Sequence, residues 1–130
     1  MKKIIITAIA ATAILLMSAG QAPSVMTKEK GGLYIVNTTT LGKNVEGYLG
    51  PTPLKVYIRK GKVEQIEFLK NEETPKYWAA AVKHLKDAWT GKTVKEAKAL
   101  KVEGRTGATF SSDAIKENVR LALDYYERNK

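Results

Sequence analysis

In the stretch "LKVYIR" (54–59), Leu54, Val56 and Ile58 alternate with Lys55, Tyr57 and Arg59. That is the two-residue period of a strand with one buried face. "KGK" (60–62) follows as a tight turn in which Gly61 is free to take positive φ, and "VEQIEFL" (63–69) is the return strand. Together they predict a hairpin over 54–69. Upstream, "LYIVNTT" (33–39) is rich in β-branched and aromatic residues and predicts another strand. "GYLGPTP" (47–53) has two glycines and two prolines and predicts a turn or an irregular edge.

After Pro75 the period changes. Trp78, Ala81, Val82, Leu85 and Trp89 recur at three- and four-residue steps, one face of a helix of about four turns that Gly91 ends. Thr93 and Glu96 fit a capping box for a short helix running through about Leu100. Ser111 or Ser112 then caps a last helix, with Ile115, Val119, Ala122, Leu123 and Tyr126 on its buried stripe. Strands first and helices second predict an α+β fold: a small antiparallel sheet with helices packed on one face.

The N-terminus stands apart. Met1-Lys2-Lys3 is positive, Ile4 to Met17 is apolar apart from two threonines, and Ser18 to Ala22 offers small residues for a peptidase. Residues 1–22 therefore read as a secretory signal cleaved after Gly20 or Ala22. The apolar run is shorter than the roughly 20 residues of a spanning helix, so a retained anchor is the weaker reading. Cysteine is absent, which excludes a lipoprotein anchor, a disulfide frame and a thiol nucleophile. The expectation is an exported protein, periplasmic or extracellular, with a polar leader at 23–32 and one domain at 33–130.

Charge adds less. Without Lys2 and Lys3, 20 basic residues face 13 acids, a net charge of +7. The lysines are scattered, so a solvated basic surface is the default reading, with a preference for anionic partners behind it. Nucleic acid is not expected as a partner of an exported chain. His84 is the sole histidine, so no zinc or copper site is expected.

The candidate chemistry lies in "GRTGATFSSDAI" (104–115). Gly107 and Ala108 let a ligand approach the backbone. Thr106, Thr109, Ser111 and Ser112 supply hydroxyls, and Arg105 supplies a fork suited to phosphate. A helix start adds unpaired N–H groups and partial positive charge. Asp113 opposes an anion unless its side chain turns aside. The plain alternative is a turn followed by a helix cap.

Thr106-Gly107-Ala108-Thr109, followed by Ser111 and Ser112, resembles the signature of the FMN-binding domain family. That family includes flavin subunits of ion-pumping respiratory complexes and small exported bacterial proteins. The resemblance spans about residues 45 to 123, taking in the hairpin and the Glu73-Thr74-Pro75 element. Glu103 stands where the signature has aspartate, and Lys76, Tyr77 and Trp78 stand where glycines usually follow Glu-Thr-Pro. The resemblance implies FMN joined through a phosphoester to Thr109, donated from FAD by a separate flavin transferase that releases AMP. It further implies an electron-transfer protein rather than a self-standing enzyme, with a redox donor, an acceptor and association with a membrane electron-transfer complex as expected partners. Tyr77 is the stacking candidate for the flavin ring, whereas Trp78 fits the core. Glu73 and Thr74 either hydrogen-bond the ring edge or cap the helix at Pro75. A second reading keeps the fold and binds FMN or another phosphate ligand without a covalent bond, or serves as an interaction protein.

Overall fold

The computed structural model describes residues 24–102 and 109–130, with the backbone alone described at Thr109. The expected signal segment, and Glu103, Arg105, Thr106, Gly107 and Ala108, lie outside the described residues.

Four strands form one antiparallel sheet in sequence order: β1 (Met26–Glu29), β2 (Leu33–Asn37), β3 (Leu54–Arg59) and β4 (Lys62–Phe68). The expected hairpin is β3–β4. Its two-residue turn places both Lys60 (φ 54°) and Gly61 (φ 73°) in the left-handed region, as a primed turn between twisted strands requires. The register slips between Tyr57 and Ile58, which leaves Glu64 as the extra residue of a bulge. Among the described residues there are four helices: α1 (Thr38–Leu41), α2 (Pro75–Leu85), α3 (Val94–Ala99) and α4 (Thr109–Asn129).

The alternation in β3 turns Leu54, Val56 and Ile58 inward, where they meet Val36 and Val63. The stripe of α4 closes on them: Ile115, Val119, Ala122, Leu123 and Tyr126 are all buried in the same cluster. This is the α+β arrangement expected, with helices on one face of the sheet. Each fully buried aliphatic side chain of this kind contributes about 1.5–3 kcal/mol, so the α4 stripe is a large part of what holds the helix down. The capping box forms as read: Thr93 Oγ1 accepts from Glu96 N at 3.1 Å, and Thr93 N donates to Glu96 Oε1 at 2.9 Å.

Four details differ from the sequence reading. Part of the polar leader is paired as edge strand β1, with Met26 opposite Val36. The strand expected over 33–39 stops at Asn37, whose side-chain oxygen accepts from Thr39 N at 2.8 Å and starts α1. Helix α2 ends at Leu85 rather than reaching Trp89, because the chain tightens there (Ala88 N to Leu85 O, 3.0 Å) and Gly91 N bonds Val63 O. Trp89 is buried all the same. Finally, α4 begins at Thr109, so Ser111 and Ser112 sit inside its first turn and neither is the cap.

Candidate functional site

Thr109 is the first residue of a 21-residue helix. The N–H groups of that first turn have no partner within the helix, and the dipole puts partial positive charge there. The next three residues divide sharply. Phe110 is 62 % exposed, whereas Ser111 and Ser112 are buried.

Ser111 is turned inward by Glu73. Its hydroxyl donates to Glu73 Oε1 at 2.5 Å. The same carboxylate accepts from Tyr48 N at 2.8 Å and from Leu49 N at 2.6 Å. Burial pushes the Glu73 pKa up, but the bonds from Ser111 and from the Leu49, Tyr48 and Gly50 N–H groups outweigh that and hold it below the ordinary value. Asn71 sets the carboxylate in place, its Oδ1 accepting from Glu73 N at 2.9 Å. One buried anion thus joins three distant segments: the turn at 47–50, the entry to α2 and the first turn of α4.

The turn itself closes through Gly47 N to Gly50 O at 2.8 Å. A Cβ at Gly47 would lie 2.2 Å from Glu73 Oε1, so glycine is required for the carboxylate to approach. With its backbone held from below, the turn lifts Tyr48 and Leu49 outward. Tyr48 is 71 % exposed and its ring lies 5.8 Å from that of Phe110, tilted by 38°. Two exposed aromatic rings in contact beside a helix start form a ready apolar platform.

Asn118, fully buried on α4, fixes the far side of the same loop. Its Nδ2 donates to Thr52 O (3.0 Å), Thr52 Oγ1 (3.2 Å) and Ala114 O (3.0 Å). Next to it, Thr38 Oγ1 bonds both Leu54 N and Leu54 O, tying α1 to β3. Lys116 Nζ reaches Val102 O at 2.8 Å and Asp113 Oδ1 at 3.2 Å. The Asp113 carboxylate is therefore turned toward Lys116, which removes its conflict with an anion at the helix start.

Of the candidates read from sequence, Ser111, Ser112 and Glu73 meet at the start of α4, and Thr109 opens that helix. Two roles change. Glu73 neither caps α2 nor presents a free edge, since its oxygens are committed to Ser111, Tyr48 and Leu49. Thr74 takes the N-cap position of α2 without a side-chain cap bond. Ser111, spent on Glu73, is a support rather than a free hydroxyl, whereas the buried Ser112 Oγ has no hydrogen-bond partner among the described residues. Tyr77 is 47 % exposed, and Trp78 packs edge-on against Phe68 at the margin of the core, as its spacing suggested. Sequence reasoning missed Tyr48, Phe110 and Asn118. The signal for Tyr48 was an aromatic residue set among turn glycines in "GYLG". Asn118 gave none beyond a polar residue beside the apolar stripe.

A buried hydroxyl without a partner among the described residues, a helix start opening on threonine and an aromatic platform suit a ligand that is phosphate at one end and a flat ring at the other. Comparison with curated proteins finds no match. The family model described as the FMN-binding domain matches residues 47–124, from the first glycine of the turn to the second-last turn of α4. That is more than half of the chain, and it contains Glu73, the motif at 106–109 and the aromatic pair. The chain belongs to the FMN-binding domain family and is a flavin-binding protein.

Proposed function

We propose that this chain is an exported electron carrier with FMN joined through its phosphate to Oγ1 of Thr109. The observation that carries the reading is the position of Thr109. It ends the Thr-Gly-Ala-Thr motif and opens α4, next to an aromatic pair left in solvent.

Bound FMN supplies reversible electron transfer. The chain's own residues do the rest. The N–H groups at the start of α4 and the Ser112 hydroxyl hold the phosphate, with Arg105 supplying a full charge. Tyr48 and Phe110 hold the ring by its face and keep it near the surface, where a donor and an acceptor can reach it. Glu73 keeps platform and helix start in fixed relation.

Attachment needs a separate flavin transferase. A threonine hydroxyl is a weak nucleophile without an adjacent base, and the Glu73 oxygens are already occupied. In the transfer the FAD pyrophosphate bond breaks, the bond from phosphorus to Thr109 Oγ1 forms, and AMP leaves as the threonine proton is lost. Export rests on the N-terminal signal segment, and the membrane electron-transfer complex remains the proposed partner.

The test is co-production with a flavin transferase, followed by a denaturing gel viewed for flavin fluorescence. A fluorescent band that vanishes in Thr109→Ala supports the reading. Glu103 in place of the signature aspartate favours a second one, non-covalent binding, which predicts colour in the native protein and a dark band on the gel.

A further inference from the structure

Opposite the turn at 47–50, three loops meet at the other end of the sheet. Arg59 donates to Gly31 O at 3.1 Å, Val94 N bonds Gly61 O, and Gly91 N bonds Val63 O. This gathers Lys28, Lys30, Lys60, Lys62, Lys92 and Lys95 around the tip of the β3–β4 hairpin. Arg59 is neutralised by Glu64 at 2.8 Å. The carboxylates left among the lysines are Glu29 and Glu96, and Glu96 is engaged with Thr93 N. A shallow hollow of about 420 Å³ is lined by Arg59, Lys60, Lys62, Thr90 and Gly91, together with Glu64, whose carboxylate is held by Arg59.

We propose that this basic end is a docking surface for a bilayer of anionic phospholipid, with a headgroup phosphate seated in the hollow. The composition of the surface chooses lipid over protein. Protein interfaces centre on aromatic residues and arginine and are poor in lysine. Here the exposed residues are chiefly lysine, with glycine and threonine, on three separate loops. The glutamates Glu29, Glu64 and Glu96 are outnumbered by the six lysines, and the arginine is already paired with Glu64. Such a surface suits a diffuse field of negative charge, to which each lysine adds about fivefold in affinity. No helix among the described residues is long and apolar enough to cross a membrane, and the contact proposed is with the bilayer surface. Strand β3 separates this end from the aromatic platform by about 20 Å. A chain docked here holds the platform away from the lipid, open to partners. The proposal rests on the charge geometry and does not require flavin.

The test is co-sedimentation of the chain, purified from an exporting host, with vesicles of phosphatidylcholine alone or mixed with phosphatidylglycerol, at low and high salt. The expected result is binding to mixed vesicles only, lost at high salt. The triple variant Lys30→Gln, Lys60→Gln, Lys62→Gln should weaken it by about a hundredfold. The control Lys43→Gln, Lys70→Gln, Lys76→Gln removes the same charge elsewhere and should change it only a few-fold. Equal loss in both variants would show that net charge alone is at work and would overturn the proposal. So would equal capture by pure phosphatidylcholine, which would point to an apolar anchor. Capture by immobilised polyglutamate without capture by vesicles would overturn it in favour of an acidic protein partner.

Discussion

Glu73 and Ser111, 38 positions apart in sequence, share a buried hydrogen bond of 2.5 Å. Around that bond the exposed turn at 47–50 and the first turn of α4 are held as one unit. Glu73→Gln keeps the shape but replaces one acceptor with an N–H₂ group that faces backbone donors. The expected cost is about 1–3 kcal/mol of unfolding free energy, measured by denaturant titration.

The same pair sets a pH dependence. The Glu73 pKa is depressed in the folded state, so its stabilisation is fully present above the ordinary carboxylate pKa of about 4.3 and is lost as pH falls through the folded value. The gap in stability between wild type and Glu73→Gln should be full at neutral pH and should close in acid below about pH 4. A gap independent of pH would mean that the carboxylate's charge is not what the turn requires.

Asn118 and Gly42 give a second coupled pair. A Cβ at Gly42 would lie 1.9 Å from Asn118 Oδ1. Gly42→Ala should destabilise the fold by about 1–3 kcal/mol through this clash. Asn118→Ala should cost a similar amount by leaving Thr52 O without its donor. The double variant should cost less than the sum, because removing the amide removes the clash. Strict additivity in the cycle would rule out the contact.

The reach of the sequence followed the range of the interactions. The β3–β4 hairpin, the Thr93–Glu96 capping box and the stripe of α4 are local patterns, and each was read directly. Strand β1 was not, because Met26-Thr27-Lys28-Glu29 carries no clear alternation and is defined by pairing with β2. Helix α1 was hidden because three successive threonines favour a strand, whereas the Asn37 side chain decides the matter. At the site, the motif ending in Thr109 was legible. The Glu73 contacts with Tyr48, Leu49 and Ser111 span 24 to 38 residues and needed the fold.

Tyr48 offers an optical readout of the platform. A tyrosine stacked on a flavin ring quenches its emission by electron transfer. In flavin-loaded protein, Tyr48→Leu should raise fluorescence severalfold while leaving the chain's mass gain intact. Unchanged emission at full loading would place the ring elsewhere.

The most direct measurement is peptide mass mapping of the chain co-produced with a flavin transferase. Trypsin cuts after Arg105 and Lys116, releasing residues 106–116. This peptide should carry the mass of FMN less one water, and fragmentation should assign it to Thr109 rather than Thr106, Ser111 or Ser112. An unmodified peptide under ample FAD, or flavin on another residue, would contradict the covalent assignment.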